Sequence, residues 1–502
     1  MPLSYIFKFL SKEKSNCDPF AVYNTFQAME ATPRITPRTI TVFTLAMINV
    51  AAIGSVKNWP IIAEYGFASI FYFLLATLIF FLPISFVAAE LATGWPKSGG
   101  VFVWVKEAFG HRTGFLAIWL LWAENVFWYP TILSFIAAIV SYIFDPSLSN
   151  SIPYTLSVIL ISFWGATIAN LYGMKVSSLI STFGVIFGTF IPAGLIITLG
   201  LSWYFGGHPL EISFDWKSFV PNLNSVDQIV FFTGVMLSLC GMEMSAIHAG
   251  DVCHPRKNYP KAILLSTVLI IGMSTLGVLA IASVIPQKQI SLVAGSMQAF
   301  SYFVDAYGLK WLTPYIALLI AAGAFGGIST WVAGSIKGLL AAARSGDLPP
   351  YFRAVNKRGM PTRLLITQAI LVSFFSMIFV FMPTVSSAFW ILSTITAQLY
   401  LLMYILLFAA AIKLRYKKSK VERPYKVPGG KPGIWIVSGL GALSSLFAMI
   451  IGFFPPAQIE TGNVIFYVLF LVLAMVVTCF APSIILLFQK ASWKKQLEHE
   501  RD

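Results

Sequence analysis

The chain has 502 residues, 57% hydrophobic and only 11% charged, a composition that no ordinary soluble protein of this length presents to water and that points to an integral membrane protein. Its net charge of +14 could suit nucleic acid, but the basic residues fall between apolar runs without forming a continuous face, which excludes that partner. The four cysteines, at 17, 240, 253 and 479, have neither zinc-like nor disulfide-framework spacing, so no metal, cofactor or redox role is expected.

The N-terminal segment, residues 1–37, carries a short apolar patch, Leu3 to Leu10, followed by Lys12 and Lys14. It is too short and wrongly flanked for a cleaved signal peptide and reads as a cytoplasmic segment. Beyond it, runs near twenty residues are needed to cross about 30 Å of hydrocarbon at 1.5 Å per residue. About twelve such runs lie near 39–63, 67–92, 113–143, 153–172, 177–204, 228–250, 261–285, 312–343, 363–382, 386–412, 434–454 and 464–489. The expected class is therefore an all-α membrane protein, with a transmembrane domain over 38–490 and a short tail over 491–502.

Lysine and arginine near span ends are retained in the cytoplasm. Starting inside, that side collects Arg34, Arg38, Lys97, Lys106, Arg112, Lys175, Arg256, Lys257, Lys261, Arg344 and the cluster from Lys413 to Lys431, against Lys57, Lys217, Lys288 and Lys310 on the other. Both termini are expected in the cytoplasm. The protein is expected in the cell membrane, the inner membrane in a bacterium.

The first span is interrupted by Ala52-Ile53-Gly54-Ser55-Val56-Lys57 and the sixth by Cys240-Gly241-Met242-Glu243. Breaks five spans apart are the pointer to two inverted repeats of five helices with a binding site where the breaks meet. The repeats would cover about 38–205 and 226–412, with extra helices over 433–489. Glycines that merely let helices pack closely are the plainer reading. Glu243 weighs against it at the second break, because an ionisable group at membrane depth is costly unless it is paired or faces water. Further acids stand within the third span (Glu124) and near the end of the second (Glu90), and Lys337 lies inside the eighth.

The string Ala88 to Val105, with Glu90, Gly94, Gly99 and Gly100, resembles a signature of the amino acid, polyamine and organocation (APC) superfamily. So does the stretch from Gly241 through Asp251-Val252-Cys253-His254-Pro255 to Ala262. With Pro428 to Lys431 added, the resemblance covers roughly 38–489 and is closest to bacterial glutamate/γ-aminobutyrate antiporters and related amino acid permeases. It implies a LeuT-like fold of five plus five helices and secondary active transport of amino acids by alternating access. Antiport is the expected mode, with proton-coupled symport as the alternative.

By resemblance, a substrate's carboxylate would meet amides, and its ammonium carbonyls, at Ala52, Ile53, Gly54, Ser55, Cys240 and Gly241. Helix ends supply the physics, since free amides favour anions and free carbonyls cations. Glu243, Tyr400, Tyr404 and Trp331 match family positions along the transport path, and the i, i+4 tyrosines share one helical face. Lys57 stands where the antiporters have a tyrosine, and Gly327 where they have a glutamate, which leaves the substrate open. Glu124 is expected to pair with Lys57, to take part in proton coupling, or to make a structural hydrogen bond. Glu90 is expected either to hold an inner gate with nearby cations or to fold a loop, and Lys337 to gate or titrate. Gly99 and Gly100 permit a turn into a short surface helix over Val101 to Phe109.

Little follows Lys490, so a C-terminal plug like that of the antiporters is not expected, and the N-terminal segment is a candidate substitute. The expected partners are an amino acid substrate, the bilayer and protons; the oligomeric state is open. An enzyme would need clustered chemistry at a membrane face. His248, Asp251, Cys253 and His254 do not have metal-site spacing, and no enzymatic role is expected. No filter loop or charged ring points to a channel.

Overall fold

The computed structural model describes residues 40–96, 99–172, 186–221, 226–243, 252–456, 459–490 and 493. The N-terminal segment 1–37, Lys97, Lys175, His248, Asp251 and nearly all of the tail lie outside the described residues.

With no water in hydrocarbon to satisfy backbone groups, a chain this apolar closes its hydrogen bonds within helices. The described residues form no strand, only an isolated backbone bridge between Ile40 and Val252. Eleven of their helices are long and apolar enough to cross a membrane. They are the first span Val42–Ala63, second Gly66–Gly94, third His111–Phe144, fourth Ile152–Leu171 and fifth Gly188–Phe205. Next come the seventh Lys257–Val284, eighth Lys310–Ile328 and ninth Thr362–Phe381. Val385–Lys417, Gly430–Ile451 and Val464–Leu487 are the tenth to twelfth. The eighth continues as a helix to Arg344. The sixth expected span is not in this set: its helix Phe232–Ser238 stops at an interruption, and 244–250 lie outside the described residues.

The third span runs through the middle of the bundle against the eighth and tenth. Side-chain bonds fix it there, Tyr129 Oη to Ser335 Oγ at 3.2 Å on the eighth and Trp122 Nε1 donating to Gln368 Oε1 at 2.8 Å on the ninth. The twelfth keeps a broad apolar face outward, as a lipid-facing helix requires. Between second and third spans, Gly99 (φ +117°) and Gly100 (φ +44°) turn the chain into the expected short helix, Val101–Phe109. It packs on the third and tenth spans. One expectation is overturned here: Cys253 is disulfide-bonded.

Both expected interruptions are present. Helix Val42–Ile53 ends at Gly54, Ser55 is extended, and a 3-10 turn Val56–Asn58 leads into Trp59–Ala63. In the sixth span Gly241 stands at φ +120°, where an L side chain is strained, and helical structure resumes at 242–243. The second span carries a π-helical segment, Thr77–Phe81, that turns Phe80 edge-on to Tyr404 at 5.4 Å between centroids. Such local unwinding is frequent beside functional sites.

Candidate functional site

The two interruptions face each other. A Cβ built on Gly241 would stand 3.4 Å from Ile53 Cγ1, 3.7 Å from the Ala52 carbonyl oxygen and 4.0 Å from Trp331 Cη2. Between them lies a cavity of about 60 Å³, whose wall takes Ala52, Ile53, Ser55, Lys57 and Asn58 from the first span and Leu237, Ser238 and Cys240 from the sixth. Glu124, Asn125, Trp128, Trp331 and Tyr400 close it. Ligand sites for small molecules commonly measure about 300–1,000 Å³, so the cavity is contracted.

Helix polarity sets its character. Ala52 and Ile53 lie in the last turn of one half-helix, and Leu237 and Ser238 at the end of another, so two carbonyl ends converge on the cavity. That is an environment for a cation. The restart of the first span at Val56 turns its amide end toward the same space, which suits an anion.

Glu243 stands just behind this wall and is 2% exposed. Tyr400 Oη donates to its Oε1, and Tyr404 Oη to its Oε2. The two phenol rings are stacked, 4.9 Å between centroids and 7° from parallel, as the i, i+4 spacing dictates. The Tyr404 oxygen also accepts from the Gly241 amide at 2.8 Å, so one phenol joins the carboxylate to the backbone of the break. A carboxylate taking two hydroxyl donors is satisfied by charge-assisted bonds, which accounts for its tolerance of burial.

Across the cavity, Lys57 is 1% exposed. Its Nζ donates to Thr131 Oγ1 at 2.7 Å and lies over the rings of Trp128 and Phe389, 5.2 and 5.4 Å from their centroids. Of the expected alternatives for Glu124, the structure shows a hydrogen bond received from the Asn125 amide; with Lys57 it shares a cavity wall. Lys57, Glu124 and Glu243 thus place a buried base and two buried acids around one small space.

Of the residues singled out in the sequence, Ala52, Ile53, Ser55, Lys57, Glu124, Cys240, Trp331 and Tyr400 line the cavity, and Gly54, Gly241, Glu243 and Tyr404 adjoin it. Glu90 and Lys337 are not in the wall. Lys337 is exposed on the eighth span, and Glu90 sits at the far end of the second, bonded to Arg415 Nη2 and to the Val427 amide at 2.8 Å. Arg423 Nε is 3.7 Å from its other oxygen. Sequence reading missed Asn58, Asn125, Trp128 and Thr131. Trp128 and Thr131 are four and seven residues beyond Glu124, so the helical period puts them on its face and could have found them.

Interrupted helices that meet over a buried, polar, contracted cavity within a multi-span bundle define a membrane transporter of the broken-helix class. The chain matches the amino acid permease family over residues 37–477 and belongs to that family. It is 44% identical over 445 residues to an uncharacterised transporter of Legionella pneumophila, covering 89% of this chain and 96% of that one. It is 34% identical over 452 residues to a glutamate/gamma-aminobutyrate antiporter of Lactococcus lactis, covering 89% and 90%. A protein of the same organism named as a probable agmatine/putrescine antiporter is 24% identical over 404 residues, 78% of this chain and 83% of that one. The all-α LeuT-like fold, the transporter class and a multi-pass place in the cell membrane follow; the chain is not an enzyme.

Proposed function

We propose that the chain exchanges amino acids across the membrane by alternating access, the substrate binding in the cavity between the two interruptions. The observation that carries this reading is the convergence there of carbonyl ends and an amide end, one pole for an ammonium and one for a carboxylate. Ala52, Ile53, Gly54, Ser55, Cys240 and Gly241 would hold the amino acid backbone. Trp331 and Tyr400 would close over it, with Glu243 and Tyr404 positioning the sixth-span break.

Lys57 would meet an anionic group of the substrate: it spends one donor on Thr131 and stands in the wall. Gly327, where the antiporters have a glutamate, is not in the cavity wall, and a Cβ there would meet nothing within 4 Å. The substrates for which the antiporter relative is named make glutamate and γ-aminobutyrate the first candidates, and neutral and basic amino acids belong beside them in a thermal-shift binding screen. The repeats are assigned to 38–205 and 226–412 on the two breaks five spans apart, and both termini to the cytoplasm on the bias of Lys and Arg.

Counterflow in proteoliposomes tests the reading. An exchanger takes up labelled substrate only when unlabelled amino acid is present on the far side, and Glu243→Ala should reduce this to background while still inserting into the bilayer. Wild-type rates in that variant would remove Glu243 from the mechanism. A second reading, proton-coupled symport, is favoured by the three buried ionisable groups around the cavity. It requires uptake driven by a proton gradient into empty vesicles.

A further inference from the structure

A second and larger cavity, about 950 Å³, lies away from the first at the lysine- and arginine-rich end of the bundle. Three elements wall it: Thr93, Gly94 and Pro96 at the end of the second span, His254 and Lys257 at the start of the seventh, and 422–426 between the tenth and eleventh. The last group includes Glu422, Arg423, Tyr425 and Lys426. Its volume is at the upper end of the range for small-molecule sites.

The wall is positive for three separate reasons. Lys257 and Lys426 are exposed to the cavity side of the chain, facing one acid, Glu422. Arg423 is buried and fixed, its Nη2 donating to the carbonyls of Leu414 at 2.8 Å and Lys418 at 3.1 Å, with the guanidinium over Trp95. The acid it pairs with, Glu90, is shared with Arg415, so among the described residues this buried cluster holds two guanidiniums against one carboxylate. Finally, the 30-residue helix Pro255–Val284 begins at the wall, and its N-cap His254 makes no side-chain capping bond, so the positive end of a long helix lies beside the cavity. Thr93 Oγ1 and the Tyr425 backbone, 3.4 Å apart, join two of the walls.

We propose that this cavity binds a phosphate-bearing anion, in the size range of a pyrophosphate or a phospholipid headgroup, with Lys257, Lys426 and Arg423 as its charged contacts. The site is distinct from the substrate cavity and does not depend on the transport reading. Occupancy would reach the first span through backbone: Val252 pairs with Ile40, and the Cys253 amide donates to the Ile40 carbonyl at 3.0 Å, directly before His254.

The test is calorimetric titration of the purified full-length protein in neutral detergent, with pyrophosphate in one arm and short-chain phosphatidylglycerol in the other. Phosphatidylcholine of the same chain length is the control. Saturable binding that weakens about tenfold or more in Lys257→Gln/Lys426→Gln supports the site, and the arm in which it appears identifies a soluble or a lipid source. Both lysines are exposed, so the variant should keep its fold and gel-filtration profile, and Lys257→Arg/Lys426→Arg should restore binding. Binding equal in wild type and the glutamine variant, or no binding above the phosphatidylcholine control, overturns the proposal. Displacement of pyrophosphate by L-glutamate also overturns it, because the cavity would then belong to the substrate path.

Discussion

Glu243 and its two tyrosines show how one residue can serve a buried site twice. Tyr400 gives its phenol to the carboxylate alone, whereas the Tyr404 oxygen also receives the Gly241 amide. Removing the Tyr404 hydroxyl therefore leaves a buried amide without its acceptor, at about 1–3 kcal/mol. Each Tyr→Phe change also takes a donor from the buried Glu243 carboxyl, so both should lower thermal stability and exchange rate, Tyr404→Phe the more because it orphans the Gly241 amide as well; equal stability losses in the two would show that the amide bond is immaterial. Glu243 was legible in the sequence because an acid stands out in an apolar span, and the two tyrosines because they match family positions along the transport path. The face that Thr131 shares with Glu124 could be read from the helical period; that its hydroxyl accepts from Lys57, 74 positions away, could not.

Glu64, at the junction of first and second spans, was not singled out in the sequence either. Burial of its carboxyl pushes it up to about 8, from the usual 4.5. Below the usual value the group is protonated in both folded and unfolded chains and makes no difference. Above it the unfolded chain ionises while the fold retains its proton, so stability should fall as pH rises from about 4.5 towards 8 and then level off. Glu64→Gln should flatten that limb of the thermal-inactivation profile, and an unaltered slope would mean that the carboxyl is solvated.

At the scale of elements, the two interruptions use glycine for different reasons. Gly241 needs its φ of +120°, whereas Gly54 has an ordinary φ of −65° but no room: a Cβ would sit 2.7 Å from the Val50 carbonyl and 2.8 Å from Met273 Cε on the seventh span. Sequence reading treated both alike, because a glycine looks the same whether it answers to torsion or to a neighbour. Gly241→Ala should cost about 1–3 kcal/mol through backbone strain. Met273→Ala should recover part of the stability lost in Gly54→Ala and none of that lost in Gly241→Ala, by melting temperature of the double variants. Recovery at both positions would reduce the second break to a packing contact as well.

Eleven of the twelve expected spans appear among the described residues, since hydrocarbon thickness imposes their length. What the sequence concealed at this scale was which charges meet: Arg415 and Arg423 belong to a basic cluster that topology alone explains, yet both converge on Glu90, more than three hundred residues earlier.

For the whole molecule, that Glu90 cluster ties the second span, the end of the tenth and the loop after it at a single buried point. Glu90→Ala would leave two buried guanidiniums uncompensated, a loss of about 3–5 kcal/mol. If the cluster is a fixed staple, the variant should unfold at lower temperature with exchange per folded molecule unchanged. If it is a gate, exchange should change before stability does, so comparing the two readouts decides between the alternatives that the sequence left open.

The contracted cavity has one more consequence when it is regarded as a barrier instead of a binding place. With about 60 Å³ between the two interrupted helices, a sodium or potassium ion with its hydration shell has no room. It would have to shed most of its water among the buried side chains of the wall. The resting protein should therefore be electrically quiet, a carrier whose empty site insulates the membrane, and a substrate would enter by prising open space that no dissolved salt can open for itself.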